Sequence, residues 1–172
     1  MKIAITGKPG IGKTTLCEKL ITAIPGVAGI ITSEIRDDAG TRCGFEMRDV
    51  HSNELGLLAH TKIKTEPKIG KYGINSRIQE HILEPALDFA LTSAKWIVLD
   101  EIAPMELKLD SFLPLTRRVL LCNKPVVLTY QQKLSAPIVN EITRQCRLEV
   151  VIRSNRDALV SAIHDQIETT LK

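Results

Sequence analysis

Apolar positions along the chain fall into short continuous runs that alternate with stretches of helical spacing. The runs that predict strands are residues 2–6, 27–33, 95–99, 125–130 and 148–153. The stretches that predict helices are residues 13–24, 77–91, 112–122, 136–146 and a last segment after Ser154. Short buried strands that alternate with helices are typical of an α/β domain built around a mainly parallel sheet.

Local signals refine this outline. A turn at residues 37–40 between residues 33–36 and 42–50 predicts a β-hairpin. Ser76 with Gln79, and Ser154 with Asp157, have the spacing of capping boxes at helix starts. Pro85 is expected to kink its helix or shift its start. Residues 51–71 carry no readable pattern.

The composition fits one globular domain over residues 1–172, with 44% hydrophobic residues. The net charge of +3 and the aromatic content of 3% argue against a nucleic-acid surface, which needs basic and stacking side chains. No signal peptide is expected, and no apolar stretch approaches the roughly 18 residues of a membrane span. The four cysteines form no C-x-x-C pair, so free thiols and a cytoplasmic location are predicted.

Residues 7–14 match the phosphate-loop pattern G-x-x-x-x-G-K-[ST], between a predicted strand and a predicted helix. Glycines let successive backbone N–H groups point at phosphate oxygens, and the helix adds its positive N-terminal end. Lys13 is expected to reach the β- and γ-phosphates, and the Thr14 hydroxyl to bind Mg²⁺. The nucleotide-binding residues predicted in this segment are Gly7, Lys8, Pro9, Gly10, Ile11, Gly12, Lys13, Thr14 and Thr15.

Two acids, Asp100 and Glu101, follow the apolar run that ends at Leu99. A carboxylate at the end of a buried strand is costly unless a positive charge lies nearby, and in a phosphate-loop protein that charge is Mg²⁺. Asp100 is therefore predicted to hold Mg²⁺, directly or through water. Glu101 is predicted to polarise the attacking water as a general base. The alternative is a solvated acidic strand end.

The order of several segments along the chain resembles that of the THEP-type nucleoside-triphosphatase family. These segments are GKPGIGKTTL, TSEIRD with GTRCGFEM, KIGKYGI, VLDEIAPMEL and SNRDAL. The resemblance covers nearly the whole chain and implies a three-layer P-loop NTPase fold with helices on both faces and a β-hairpin insertion. It also implies slow turnover, broad tolerance of the base, a site segment at residues 100–107, a catalytic Glu101, and phosphate contact by Arg42 of the hairpin.

The chain departs from the family pattern after DEI. Where the family usually has Gly-Lys, this sequence has Ala103 and Pro104. If the family's lysine binds nucleotide, Lys108 is the nearest residue that could replace it.

A few other polar residues allow two interpretations. Thr129, at the end of a predicted strand, is either a sensor of the γ-phosphate or an ordinary strand-end residue. Tyr72 and Arg77 either line the nucleotide cleft or belong to a structural loop. Arg117 and Arg118, on a predicted helix, either supply a positive finger or form a solvated basic face, and we favour the basic face.

These residues predict slow, Mg²⁺-dependent hydrolysis of nucleoside triphosphates, with ATP, GTP, CTP and UTP all accepted. The guanine-reading pattern N-K-x-D is incomplete, because Val126 stands in the place of its Asp. One alternative is a small-molecule kinase, whose lid would have to be residues 51–71. Another is a nucleotide-dependent switch or RNA-associated module. The sequence leaves the oligomeric state open.

Overall fold

The computed structural model describes residues 1–172, and one nine-stranded sheet runs through it. Its strands are β1 (Lys2–Thr6), β2 (Val27–Arg36), β3 (Arg42–Asp49), β4 (Leu55–His60), β5 (Lys68–Ile69), β6 (Tyr72–Ile74), β7 (Trp96–Ile102), β8 (Val126–Tyr130) and β9 (Arg147–Val150). Across the sheet the strands follow the order β5-β6-β4-β3-β2-β7-β8-β1-β9.

The sheet has two halves with different strand directions. Strands β2, β7, β8, β1 and β9 pair in parallel, and we call them the parallel half. Strands β3, β4, β6 and β5 continue outward from β2 with antiparallel pairing and form the antiparallel half. The predicted hairpin is confirmed as the β2–β3 pair. The antiparallel half is larger than predicted, because residues 51–71 contribute β4 and β5 to it.

Five α-helices cover both faces of the sheet, as predicted. They are α1 (Lys13–Ala23), α2 (Glu84–Ser93), α3 (Phe112–Leu121), α4 (Pro137–Gln145) and α5 (Arg156–Leu171). Ile3 and Ile5 pack with α1 and α5, whereas Ala4 between them belongs to the apolar cluster under α2, α3 and α4. Successive strand residues point to opposite faces, so one strand contributes to both layers. None of the helices has the length and apolar character needed to cross a bilayer.

Helix starts differ from the sequence prediction. Ser76 and Gln79 form no capping box, because the Gln79 side chain accepts hydrogen bonds from the backbone N–H and hydroxyl of Ser111, both at 3.3 Å. A π-helical turn at Gln79–Leu83 precedes α2, and Pro85 stands at the start of α2. Proline lacks the N–H that a helix interior needs, so the predicted shift at Pro85 is confirmed.

The second predicted capping box is also wrong. Asp157 pairs instead with Lys19 of α1, at 2.8 Å. Strand β9 ends at Val150, earlier than predicted, because the Asn155 side chain bonds the backbone of both Ile152 and Val150 at 2.9 Å. These bonds turn the chain out of the sheet and into α5.

Parallel pairing brings the carboxyl ends of β1, β8 and β7 to one edge of the sheet. Ile5 of β1 lies beside Thr129 of β8, and Leu99 of β7 lies beside Leu128. The loop after β1 and the acids at the end of β7 therefore face the same edge, where open α/β sheets bind ligands.

Candidate functional site

The loop between β1 and α1 has the backbone shape that its glycines predict. Gly10 and Gly12 have φ angles of 72° and 103°. Residues with a side chain rarely adopt this left-handed conformation, whereas glycine does so without steric penalty. The loop thus curls back on itself between the buried strand β1 and the first turn of α1.

The first turn of α1 favours an anion. Its N-cap residue is Gly12, no side chain caps it, and no acidic residue lies in that turn. The first N–H groups of a helix lack partners within the helix, and the helix dipole adds partial positive charge there. With Lys13 in the same turn, this end of α1 has the donors and the charge that suit a phosphate.

Lys13 meets Glu101 across the site. The Lys13 side chain is only 10% exposed, and its Nζ lies 3.2 Å from Oε2 of Glu101. The two side chains form an ion pair but no hydrogen bond, and Oε2 of Glu101 has no other hydrogen-bond partner. The contact places the lysine that is predicted to bind phosphate next to the predicted general base.

Asp100 is fully buried at the end of β7, and its peptide bond to Glu101 is cis. The Thr129 hydroxyl donates to one of its carboxylate oxygens, whereas Oδ2 has no partner. Burial raises the pKa of Asp100 to about 6, although the hydroxyls of Thr129 and Thr14 partly offset this rise. Thr129 therefore acts as a hydrogen-bond donor to Asp100. Neither interpretation of Thr129 from the sequence included this role.

The residues around Asp100 fit Mg²⁺. Its orphaned oxygen and the nearby Thr14 hydroxyl are the hard oxygen donors that Mg²⁺ prefers. No three His, Cys, Asp or Glu side chains are grouped so that they could hold a metal by themselves. Mg²⁺ usually takes one or two carboxylates and completes its shell with water and substrate phosphates. The donor set thus suits an ion that binds together with a nucleotide.

Sequence reasoning missed Glu106, which is 2% exposed in a 3₁₀ turn after β7. Its Oε2 has no hydrogen-bond partner, and neither does the hydroxyl of Thr32. Burial chiefly, and then the negative charges of Glu101 and Asp100, raise the pKa of Glu106 to about 8. The Thr32 hydroxyl lies close enough to offset a little of this rise. Glu106 is therefore a neutral acid at pH 7 beside the predicted catalytic base.

We call Thr32, Asp100, Glu101 and Glu106 the acidic cluster. Six buried side-chain polar atoms in the protein lack a hydrogen-bond partner, and four of them belong to these residues. Buried polar atoms are normally paired, so a concentration of unpaired ones marks a place where water, an ion or a ligand completes the bonding. This concentration lies beside the phosphate loop.

Cys17 lies on α1 beneath the site and is fully buried. Burial, and then the charge of Asp100, raise the pKa of its thiol well above the ordinary value. The thiol therefore stays protonated and packs as a small apolar side chain.

Arg42 already has protein partners. Its guanidinium donates to Oε1 of Glu34 at 2.8 Å and to the Tyr72 hydroxyl at 3.1 Å, and it stacks over the ring of Phe45 at 5.2 Å. The bond to Arg42 lowers the pKa of Glu34, and the bonds to Tyr72 and Glu34 raise the pKa of Arg42. We call Glu34, Arg42, Phe45 and Tyr72 the hairpin cluster.

The hairpin cluster lies apart from the acidic cluster. Strand β2 follows β7 only as far as the pair Ile31 and Asp100, whereas Arg42 pairs with Arg36 further along β2. At roughly 3.3 Å per residue, Arg42 lies roughly 16 Å beyond Asp100 along the strand direction. The structure thus brings Lys13, Asp100 and Glu101 together and leaves Arg42 outside that group.

The remaining candidates lie outside the acidic cluster. Arg117 and Arg118 pair on the surface with Glu141 and Asp88, both at 2.8 Å. Lys108 is exposed at the end of the 3₁₀ turn.

A cleft of about 480 Å³ adjoins the phosphate loop. Residues 7–11 form one wall, and Gln132 with residues 150–153 forms the other. Val150 and Ile152 on this second wall are 50% and 51% exposed. The cleft offers an apolar surface large enough for a small ligand, directly beside the phosphate-binding position.

Comparisons with known proteins agree with this geometry. A family model described as NTPase matches residues 2–164. The nucleoside-triphosphatase THEP1 of Methanosarcina acetivorans is 36% identical over 168 residues, which cover 95% of this chain and 94% of that protein.

Two solved structures have the same fold. The crystal structure of THEP1 from the hyperthermophile Aquifex aeolicus has a TM-score of 0.87 at 31% identity, covering 98% of this chain and 99% of that one. The solution structure of a human cancer-related nucleoside triphosphatase has a TM-score of 0.79 at 28% identity, covering 99% of each chain.

Proposed function

This chain belongs to the NTPase family, and we propose that it hydrolyses nucleoside triphosphates to the diphosphate and phosphate with Mg²⁺ as cofactor. The observation that carries the proposal is the convergence of three residues. Lys13 and Glu101 lie 3.2 Å apart, beside the orphaned oxygen of Asp100. A phosphate-binding cation, a base and a metal ligand are thus within reach of one triphosphate.

Binding begins with the triphosphate. Free backbone N–H groups of the loop and of the first turn of α1 would donate to its oxygens, supported by the positive end of α1. Pro9 has no N–H, and the N–H of Ile11 already donates to the Lys8 carbonyl at 3.1 Å. The Lys13 ammonium contacts the β- and γ-phosphates, which replaces part of its attraction to Glu101. The positive charge of Lys13 then balances the negative charge of the substrate near the bond between the γ-phosphorus and the bridging oxygen.

Hydrolysis needs a base near the γ-phosphate, and Glu101 supplies it. Its side chain is 30% exposed, so water can reach the carboxylate. As the water oxygen forms a bond to the γ-phosphorus, Glu101 takes the water's proton. The bond from γ-phosphorus to the bridging oxygen breaks, and Lys13 stabilises the charge that develops on the diphosphate.

Thr14 and Asp100 would hold the Mg²⁺ together with phosphate oxygens. When bound, the ion neutralises charge on the β- and γ-phosphate oxygens. Asp100 must be ionised for this role, and a nearby cation lowers a carboxyl pKa that burial has raised to about 6.

The turnover is expected to be slow, with a kcat well below about 1 s⁻¹, because no arginine in the site acts as a finger. An arginine finger contributes roughly 10³–10⁵ in rate. Arg42, the arginine that the family resemblance suggests for phosphate contact, is bonded to Glu34 and Tyr72 and would have to leave both to reach a phosphate.

Broad tolerance of the base is supported by the cleft beside the loop. Its second wall is largely apolar, and its polar side chains, Gln132 and Arg153, are exposed and free to reorient. A site that grips mainly phosphates gains little from the base, so preference among ATP, GTP, CTP and UTP should be about tenfold or less, or about 1.4 kcal/mol.

The test is phosphate release from each of the four nucleotides while Mg²⁺ is titrated against EDTA. Wild-type protein should release phosphate only with the metal. Asp100→Asn should raise the Mg²⁺ concentration needed for half-maximal rate, whereas Asp110→Asn, at an exposed aspartate of the same segment, should not. Equal activity in EDTA would overturn the metal assignment, and a preference above about a hundredfold would reveal a base reader.

The same assay separates the alternatives. A kinase would transfer phosphate to an added acceptor instead of releasing it, and a switch would need a partner to raise turnover. The segment that a kinase would need as a lid supplies β4 and β5 to the sheet, which leaves little of it free to close.

A further inference from the structure

Arg156, the first residue of α5, lies against the phosphate loop. A methyl group at Gly12 would be 3.0 Å from both Cδ and Nη1 of Arg156. Gly12 directly precedes Lys13, so the guanidinium touches the loop where the phosphate-binding helix begins. Only a residue without a side chain leaves room for this contact.

The chain around Arg156 is held in place from two sides. The Asn155 side chain bonds the backbone of Ile152 and Val150, and Asp157 pairs with Lys19 of α1 at 2.8 Å. Helix α5 also packs against α1 through the apolar cluster that contains Leu20, Ile163 and Ile167, and Arg156 stands in its first turn beside the loop.

The guanidinium of Arg156 makes no hydrogen bond or close ion pair within the protein, and its side chain is 38% exposed. Its Nε is buried and makes no hydrogen bond. The nearest carboxylate oxygen, on Asp157, is 3.9 Å away and already lies 2.8 Å from Lys19. Lys13 and the N-terminal end of α1 add more positive charge close by. Such an accumulation is unfavourable in itself and is relieved by an anion.

Arg156 and Glu101 lie on opposite sides of the loop. Glu101 belongs to β7 and Arg156 follows β9, and in the sheet order β1 lies between those two strands. A phosphate contact by Arg156 therefore falls away from the water that attacks the γ-phosphorus.

We infer that the guanidinium of Arg156 is a second cation of the phosphate site and binds the α- and β-phosphates of the nucleotide. The inference rests on the proposed function and assigns a residue to that site. Arginine suits the role because its planar donors can meet two phosphate oxygens at once. Both substrate and product carry these phosphates, so Arg156 stabilises the bound triphosphate and diphosphate alike.

The experiment measures equilibrium binding of Mg²⁺ with a nucleoside diphosphate, and of a non-hydrolysable triphosphate analogue, to wild type and Arg156→Gln. Both dissociation constants should rise by the same factor, about 10- to 100-fold, as expected for losing charge-assisted hydrogen bonds. The kcat of the variant at saturating nucleotide should stay within about threefold of wild type. Arg156→Lys should recover part of the affinity, because it keeps the charge and loses the planar donors.

Tripolyphosphate, as a competitor without sugar or base, identifies what Arg156 contacts. Its inhibition constant should rise in Arg156→Gln as the nucleotide constants do. Arg144→Gln, at an exposed arginine near the far end of α4, is the matched control and should change none of these values. Thermal melting of each variant identifies any loss of folded protein.

Several outcomes would overturn the inference. Unchanged diphosphate affinity in folded Arg156→Gln would show that the arginine only packs on the loop. Weaker nucleotide binding with unchanged tripolyphosphate binding would move the contact to the sugar or the base. A fall in kcat with unchanged affinity would make Arg156 a catalytic residue. The proposed function fails separately, through absence of phosphate release by the wild-type protein.

Discussion

The acidic cluster and the hairpin cluster differ in whether their polar side chains have partners within the protein. In the hairpin cluster Arg42 bonds Glu34 at 2.8 Å and Tyr72 at 3.1 Å, so opposite charges meet at the surface. In the acidic cluster four buried oxygens have no hydrogen-bond partner. An unpaired buried polar group costs about 1–3 kcal/mol, so these oxygens need water, an ion or a ligand to complete their bonding.

This difference distinguishes polar side chains that stabilise the fold from polar side chains that serve the proposed site. The hairpin's bonds are complete within the chain and need nothing else. The acidic cluster leaves bonds for partners from outside the chain, which we propose to be phosphates, water and Mg²⁺. Substitutions in the first region should therefore change activity little, whereas substitution of Asp100 or Glu101 in the second should change it greatly.

The largest effect is expected from Lys13→Ala. Hydrolysis should fall by at least about 10³-fold and triphosphate binding should weaken greatly, because the phosphates lose a buried ammonium. Steady-state phosphate release and nucleotide titration measure both. Lys64→Ala, in the connection between β4 and β5, is the control and should leave both unchanged. Activity of Lys13→Ala within threefold of wild type would remove the phosphate loop from the mechanism.

Glu101→Gln should keep binding of Mg²⁺ and nucleotide and reduce turnover by about 10²–10⁴-fold, the usual effect of losing a general base. The amide keeps the shape of the carboxylate and cannot accept the water's proton. Single-turnover kinetics with a separate binding measurement distinguish the two effects. Glu46→Gln on β3 provides the control. If Glu101→Gln lost binding but kept turnover per bound nucleotide, the roles of Asp100 and Glu101 would have to be exchanged.

Glu106→Gln should change stability rather than chemistry. The pKa of Glu106 is about 8 in the folded protein against 4.5 ordinarily, so the folded state favours the protonated form. Stability from this group is complete below pH 4.5 and is lost as the pH rises toward 8. Glutamine cannot ionise, so the free energy of unfolding of the variant relative to wild type should increase over that interval, by about 1–3 kcal/mol.

Denaturant unfolding at pH 5 and pH 8.5, in EDTA, measures that difference. The carboxyls that face Glu106 are Glu101 and Asp100, so the same series in Glu101→Gln should show a smaller pH effect. A Glu106→Gln variant that is equally destabilised at both pH values would mean that its packing matters and its ionisation does not.

The smallest effect is expected from Arg42→Ala. Its guanidinium is already paired, so kcat should fall less than about tenfold, far below the roughly 10³–10⁵ of an arginine finger. Steady-state kinetics with a saturating triphosphate test this. Glu34→Gln frees Arg42 from its carboxylate and should not raise kcat. A loss above about 10³-fold in Arg42→Ala would show that the hairpin closes over the nucleotide during turnover.

The sequence predicts the parallel half well because its signals are local. Apolar runs mark β1 and β7, glycines mark the loop, and the two acids follow directly after Leu99. The predicted site residues Lys13, Asp100 and Glu101 consequently lie together.

The antiparallel half and the helix starts depend on distant contacts, which a short pattern does not contain. Gln79 leaves its expected capping role because Ser111, 32 positions later, binds its side chain. Strand β4 has exposed Leu55 and Leu57 followed by two adjacent buried residues, Leu58 and Ala59, so its burial does not alternate regularly.

The positions of Glu106 and Arg156 in the site could not be predicted from the sequence for the same reason. The only local hint for Glu106 is its place between Met105 and Leu107, an acid within apolar neighbours. Its burial depends on how the 3₁₀ turn packs after β7. The contact between Arg156 and Gly12 joins the two ends of the sequence, so it becomes visible only in the folded protein.

The rate at which buried Cys17 is alkylated reports how often the enzyme opens locally around α1. A protonated thiol reacts with alkylating reagents only when α1 separates locally from the sheet, so its modification rate measures the free energy of that fluctuation. Bound nucleotide should slow alkylation of Cys17 in proportion to site occupancy. Cys43, partly exposed in the hairpin, should react at a rate that nucleotide leaves unchanged. The two thiols give the two regions separate kinetic readouts in one unlabelled, natural chain.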